Sequence, residues 1–114
     1  DGWHGDAAFT VVLPEADPAD VALSAATEAA MWAGIAALAT GERLGDVGDA
    51  VEAAVERADA TYGIVQEYVG HGIGSAMHQP PDVLNYRTRE RGPRLRTGMC
   101  LAVEPMLTRG SRMT

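Results

Sequence analysis

A histidine framed by glycines is the first feature of this sequence that could carry chemistry. His71 lies in the segment Gly70–Gly74, and the glycines on both sides let the backbone approach its neighbours closely while an imidazole is presented to a site. His78 follows seven residues later, and Pro80 and Pro81 prevent a helix from joining the two histidines. We therefore expect two histidines on an irregular loop, one as a metal ligand and the other as a hydrogen-bond donor to a ligand or a substrate.

Two carboxylates are candidate partners for that histidine, although each has a simpler explanation. Glu104 is the only charge in the apolar run Met99–Leu107. A carboxylate buried in a strand is costly unless it is paired or bound to a metal, but Glu104 could equally lie at an exposed strand end. Asp6 follows Gly5 and opens a predicted strand, where an aspartate often caps a neighbouring amide. Both readings stay open for each residue, whereas His4 is interpreted as a turn residue.

The composition limits which kinds of metal site and cellular compartment are plausible. Cys100 is the only cysteine, so no internal disulfide can form, and a cytosolic protein is the simplest reading. Any metal site must use oxygen and imidazole ligands. No basic, apolar signal segment opens the sequence, and no stretch approaches the ~20 apolar residues of a membrane span.

The charge is distributed unevenly along the chain. The net charge is −7, yet five arginines crowd into residues 87–96. The simpler interpretation of this segment is a solvated loop. The functional alternative is a salt-dependent contact with phosphates, such as those of ribosomal RNA.

The elements that must position the candidate residues follow the predicted order β-α-α-β-loop-β, an α+β unit. Asp17 is the predicted N-cap of the first helix and Pro18 its first residue, because these residue types favour those positions. Gly41 is expected to end that helix. An apolar stripe recurs along it at steps of three and four, formed by Val21, Ala25, Ala29, Trp32 and Ala36. The other predicted elements are a strand at 7–13, a helix at about 46–59 with a core face of Val47, Val51, Ala54, Val55 and Ala58, a strand at 62–69, a loop containing Pro80 and Pro81, and a strand at 99–107.

Three segments, in this order and at this spacing, resemble the successive signatures of type I methionine aminopeptidases. They are Asp1–Asp6, Gly70–Gly74 with His78, and Val103–Met106. Glu104 follows His71 by 33 positions, which leaves no room between them for a long insertion of the kind that type II enzymes carry between later motifs. The resemblance implies part of the pita-bread (creatinase/aminopeptidase) fold, with an antiparallel sheet and helices packed on one side of it.

The resemblance also implies a role for each matching position. Asp6 would bridge two divalent metal ions, His71 would be the single histidine ligand, and Glu104 would be the first of two glutamate ligands and would relay a proton. His78 would hydrogen-bond the substrate near the scissile carbonyl, and Met77 would line the pocket for the methionine side chain. Carboxylates with one imidazole suit Co, Mn, Fe or Zn and do not choose among them.

The implied activity is removal of the initiator methionine from nascent proteins by hydrolysis of the first peptide bond. The expected partner is a nascent polypeptide with an N-terminal methionine, in the cytoplasm, with ribosome contact left open and no DNA or membrane involved. One further aspartate and one further glutamate ligand of the family fall outside residues 1–114, so we expect a single partial catalytic domain, truncated at both ends and inactive by itself.

Two alternatives remain open. An Xaa-Pro aminopeptidase or prolidase of the same fold would usually carry Glu-Pro-Gly where this chain has Glu104-Pro105-Met106. A non-catalytic pita-bread binding module would be expected to have replaced some of the ligands, whereas Asp6, His71 and Glu104 are all present.

Overall fold

Two packed helices precede two small antiparallel sheets in the computed structural model, which describes residues 1–110. The elements are α1 Pro18–Thr40, α2 Gly45–Glu56, β1 Tyr62–Ile64, β2 Gly70–Gly72, β3 Gln79–Val83, β4 Leu101–Ala102 and β5 Leu107–Arg109. One sheet has the strand order β3-β2-β4, and the other pairs β1 with β5. The α+β class and the antiparallel pairing are confirmed.

Helix α1 begins where its capping residues predict. The Asp17 side chain accepts a hydrogen bond from the Ala19 N–H at 2.8 Å, and Pro18 occupies the first turn, where a missing N–H costs nothing. Gly41 caps the other end, where its N–H donates to the Ala37 carbonyl.

The predicted apolar stripe of α1 is not its buried face. All five residues of that stripe are exposed: Val21, Ala25, Ala29, Trp32 and Ala36. The buried residues are Ala30 and Gly34. A side chain at Gly34 would meet Val51 Cγ2 of α2 at 2.8 Å, so a hydrogen at this position lets the two helices approach closely. Because alanine occupies every side of α1, apolar periodicity alone could not select the buried face.

The predicted core face of α2 is largely confirmed. Val47, Val51 and Val55 are buried, while Ala54 and Ala58 are half-buried. The helix ends at Glu56, earlier than predicted. The buried core joins these valines to residues of α1, the helix–helix turn and two strands: Ala30, Leu44, Ile64 and Val83.

Several predicted strand boundaries are wrong because a strand requires a partner and not only a suitable local sequence. No described segment pairs with residues 7–13, which are extended, exposed and outside any strand. The predicted strand at 99–107 divides into β4 and β5, which belong to different sheets. Of residues 62–69, only Tyr62–Ile64 pair. The segment Gln79–Val83, predicted as loop, is strand β3.

Helix α1 also contradicts the expectation that no stretch approaches a membrane span. Its most apolar 18-residue window has a mean hydropathy of 1.5 and is 11% buried, so by length and composition alone it could cross a membrane. A core helix of a soluble protein passes the same test, and α1 packs on α2 through Ala30 and Gly34.

Replacing Gly48 with alanine should destabilise the protein, although alanine is the better helix former. A Cβ at this buried position of α2 would overlap the Tyr86 carbonyl oxygen and would lie 3.1 Å from the Leu84 carbonyl oxygen. Since backbone must move to admit it, we expect a loss of about 2 kcal/mol in the free energy of unfolding, measured by urea denaturation. Gly5→Ala is the control, because nothing lies within 4 Å of its added Cβ. Equal stability of the two variants would contradict the close approach.

Candidate metal centre

Strand β2 places His71 in the middle of a three-stranded sheet. His71 is opposite Asp82 of β3 and Ala102 of β4, and the register with β3 shifts between His71 and Gly72. A Cβ at Gly70 would overlap the Ala102 carbonyl oxygen, and one at Gly72 would overlap the Pro80 carbonyl oxygen. The glycines are therefore required by the neighbouring strands. The prediction that both histidines lie on a loop is wrong for His71, because its glycine-rich segment is itself a strand.

The other two candidate ligands come from segments on either side of β2. The His4 N–H donates to the Gly74 carbonyl at 2.9 Å, which ties the N-terminal segment to the end of β2 and brings Asp6 beside His71. Glu104 lies two residues beyond β4, which pairs with β2.

The three side chains converge on one point. His71 Nε2 is 3.4 Å from Asp6 Oδ2 and 3.5 Å from Glu104 Oε1. One ligand atom from each residue lies within 4.8 Å of the other two. His71 is buried, whereas the carboxylate side chains are 36% and 42% exposed, so the site is reached from solvent on the carboxylate side.

The hydrogen bonding of His71 leaves its Nε2 atom facing this cluster. The Nδ1 atom is 2.9 Å from the Gly72 carbonyl oxygen. A carbonyl only accepts, so Nδ1 carries a proton, and Nε2 is the ring nitrogen that faces Asp6 and Glu104. That Nε2 is buried with no hydrogen-bond partner among the described residues. Burying an unsatisfied polar atom is costly, and two carboxylates brought close to one nitrogen favour a positive charge between them.

A divalent cation would satisfy all three groups at once. Mixed carboxylate and imidazole ligands suit first-row transition metals. The hydrogen bond from Nδ1 to a backbone carbonyl is the usual means of fixing the orientation of a ligating imidazole. The donor set and the unpartnered Nε2 therefore fit a metal centre.

The two residues expected to contact substrate lie at the edge of this cluster. The His78 ring contacts the His71 ring edge-on, with the centroids 4.4 Å apart, and His78 is exposed. Met77 is 38% exposed. Neither residue lines the cavity of about 710 Å³ beside the site, which is bounded by Asp6, Phe9, Trp32 of α1 and Glu104.

Sequence reasoning missed the ion pairs that join the arginine-rich segment to α2. Arg91 pairs with Asp46 and Asp49, and Arg87 pairs with Glu52 and Glu56. The sequence alone predicts a solvated loop or a phosphate contact for these arginines. The opposite charges were visible in the sequence, but the separation of more than thirty residues hid their pairing.

Asp46 is the most strongly perturbed carboxylate in this arrangement. Its pKa is lowered to about 2, chiefly by the hydrogen bond from the Arg43 N–H, then by that from the Glu42 N–H, and then by the Arg91 guanidinium. Asp46 therefore stays ionised in the folded protein through the neutral and mildly acidic range.

Residues 1–112 match the family model described as metallopeptidase family M24. Methionine aminopeptidase 1 of Mycobacterium tuberculosis is 48% identical over 118 residues, which cover 100% of this chain and 44% of that protein. Methionine aminopeptidase 1 of Bacillus subtilis is 39% identical, with 97% of this chain and 44% of that protein covered.

Two solved structures are also similar to this chain. The methionine aminopeptidase of Thermotoga maritima matches with a TM-score of 0.76 and 34% identity, covering 90% of this chain and 40% of that one. That of Rickettsia prowazekii matches with a TM-score of 0.73 and 35% identity, covering 84% and 38%. The chain thus spans less than half the length of the relatives it matches.

Removing either of two clustered side chains should weaken divalent metal binding. We expect Asp6→Asn and His71→Ala each to lower the affinity for Mn²⁺ by at least about tenfold, because the first removes the negative charge of a ligand and the second removes the imidazole donor from the cluster. Titration calorimetry measures this affinity. His78→Ala is the matched control, since its ring contacts His71 but lies outside the cluster. A fall of the same size in the control, or none in the two variants, would show that the metal binds elsewhere.

Proposed function

Because the chain belongs to metallopeptidase family M24, we propose that it is the part of a methionine aminopeptidase that supplies three of the metal ligands. Divalent metal use follows from the family. The convergence of Asp6, His71 and Glu104 is the observation that carries the proposal. The proposed reaction is hydrolysis of the first peptide bond of nascent proteins that begin with methionine.

In this proposal the centre would hold two divalent ions drawn from Co, Mn, Fe and Zn. Asp6, His71 and Glu104 would hold them, with Asp6 as the ligand that the two ions share. Bound ions of this kind make water nucleophilic at neutral pH by lowering its pKa. The Nδ1–H of His71 keeps the imidazole oriented by donating to the Gly72 carbonyl.

Side chains of this protein carry out proton transfer, stabilise the carbonyl oxygen and contact the substrate. The Glu104 side chain is 42% exposed, so a carboxylate oxygen can accept a proton from the attacking water. It can then give that proton to the leaving amine. His78 lies against His71 and can donate a hydrogen bond to the oxygen of the scissile carbonyl as negative charge develops there. Met77, next in the chain and partly exposed, contacts the methionine side chain of the substrate.

The same proposal includes a longer parent protein, because more than half of each relative lies outside the region that this chain matches. Residues 1–114 would then form one partial catalytic domain. A cytoplasmic location is part of the proposal and is supported by the single cysteine. The curated relatives reported above are methionine aminopeptidases, which favours this activity over the Xaa-Pro aminopeptidase alternative.

Contact with the ribosome stays a prediction. Arg87 and Arg91 are held by the acidic face of α2, so a phosphate contact would depend on the other arginines of the segment, namely Arg89, Arg94 and Arg96.

Glu104→Gln in the full-length parent should reduce turnover of a Met-Ala peptide by at least two orders of magnitude. The amide keeps the size of the side chain but loses the ligand charge and the proton acceptor. Methionine release is measured directly, and circular dichroism should be unchanged because Glu104 makes no hydrogen bond within residues 1–110 beyond its approach to His71. Turnover within a few-fold of the parent would rule out this role.

The 114-residue chain, produced alone, should be inactive and bind no more than one metal ion weakly. It provides three ligands from three separate elements, and metal binding and folding reinforce each other. Calorimetric stoichiometry and methionine release, with the full-length parent as control, test this expectation. Two tightly bound ions, or release at the parent's rate, would contradict it.

A further inference from the structure

The strand that leads to Glu104 is the shortest one described in the chain. Strand β4 consists of Leu101 and Ala102 alone, and it pairs with β2 at two positions. One more backbone bond follows, from the Ile73 N–H to the Cys100 carbonyl at 3.1 Å. On the other side of Glu104, the Val65 N–H donates to the Met106 carbonyl at 2.9 Å and β5 pairs with β1. Because the ladder of β4 is so short, the segment that precedes β4 is a further restraint on where Glu104 lies.

The segment that precedes β4 is anchored to the helices. We call residues 84–100 the β3–β4 connection. Its middle part is bonded to the turn between α1 and α2: the Leu44 N–H donates to the Pro93 carbonyl, the Gly45 N–H to the Arg91 carbonyl, and the Leu95 N–H to the Glu42 carbonyl. These three bonds are 2.8–2.9 Å long. The Arg43 guanidinium adds two more to the Gly92 carbonyl, at 2.7 and 2.9 Å.

Arg91 joins these backbone bonds to α2. Its Nη2 is 2.7 Å from Asp46 Oδ1 and 2.7 Å from Asp49 Oδ2, and its Nη1 is 3.3 Å from Asp49 Oδ1. The pairing with Asp49 is bidentate, which fixes the direction of the guanidinium as well as its distance. Arg91 is also only half-buried, so the pairs add little to stability by themselves.

Asp46 connects the same arginine to the helix–helix turn. Its second oxygen, Oδ2, accepts the N–H groups of Glu42 and Arg43 at 2.8 and 3.0 Å, while Oδ1 accepts from Arg91. One carboxylate thus orders both the turn and the side chain that holds the β3–β4 connection against it.

We propose that Arg91 is a positioning residue for the metal centre: by holding the β3–β4 connection on α2, it sets where β4 presents Glu104 to His71. The inference rests on the proposed role of Glu104 as a metal ligand. Arg91 itself touches neither the cluster nor the cavity beside it. Because Arg91 acts only through the position of Glu104, its effect on metal affinity should be measurable only when Glu104 is able to act as a ligand.

A mutant cycle in the full-length parent separates this role from a general structural one. We expect Arg91→Ala to lower the affinity for Mn²⁺ by about tenfold and to lower kcat on a Met-Ala peptide with little change in KM. In a Glu104→Gln background, Arg91→Ala should lower the Mn²⁺ affinity by less than about twofold, because the ligand it positions is already lost. Arg91→Lys keeps the charge without the bidentate geometry and should fall between the parent and Arg91→Ala.

Two further variants test whether a loss of folding, and not of positioning, explains a lower Mn²⁺ affinity in Arg91→Ala. Asp49→Asn removes the bidentate partner but leaves the Asp46 pair, and it should reproduce a smaller form of the same defect. Arg57→Ala is the control, an exposed arginine at the end of α2 with no ion pair among residues 1–110, and it should match the parent. Thermal unfolding of every variant is recorded beside the affinity.

The outcomes distinguish this inference from the proposed function. An unchanged Mn²⁺ affinity in Arg91→Ala, or an equal loss with and without Glu104, overturns the positioning role even if the parent is an active peptidase. A parent without methionine release would overturn the proposed function, while the metal-affinity cycle would still decide whether Arg91 acts through Glu104.

Discussion

The unpaired Nε2 of His71, facing two carboxylate oxygens within 3.5 Å, is the contact on which the rest of the site depends. Two carboxylates brought to one buried imidazole favour a cation among the three groups. The surrounding backbone maintains the arrangement: β2 is enclosed by strands that leave no room for a Cβ at Gly70 or Gly72, and the Gly72 carbonyl holds the ring in one tautomer. The sheet therefore pre-organises His71 for metal binding.

Close approach of backbone is also how the helices meet each other and the sheet. Gly34 lets α1 reach the valines of α2, and Gly48 lets α2 reach the backbone at Leu84 and Tyr86. The buried core is built mainly from valine, whereas large apolar side chains such as Phe9 and Trp32 lie exposed around the cavity beside the metal centre. Small residues therefore bring the elements together, and the larger ones shape the approach to the site.

Electrostatics acts at two distances from the centre. At the proposed metal position, two carboxylates face one buried imidazole without a second cationic group beside them among the described residues. Farther away, Arg87 and Arg91 pair with the acids of α2, and the ionised Asp46 ties Arg91 to the helix–helix turn. In a chain with a net charge of −7, the acids of α2 are thus neutralised by arginines of the β3–β4 connection, whereas Asp6 and Glu104 have no arginine partner among residues 1–110.

Local sequence determined the features whose causes are local. Asp17 and Pro18 marked the start of α1, the spacing of Val47, Val51 and Val55 marked the buried face of α2, and the glycines around His71 marked a crowded backbone. Local setting alone did not name the ligands: Asp6 could be a turn residue and Glu104 could lie at an exposed strand end, and their expected roles came from the resemblance of three segments to a known family.

Tertiary structure alone decided which distant segments meet. It divided 99–107 between two sheets, left 7–13 without a strand partner, left the predicted apolar stripe of α1 exposed, and paired arginines with acids more than thirty residues away. Hydrogen-bond ladders and ion pairs need a second partner, and the identity of that partner is not encoded in the periodicity of either segment. The convergence of Asp6, His71 and Glu104 is also a tertiary feature, because three segments far apart in sequence meet only when the sheet around β2 has formed.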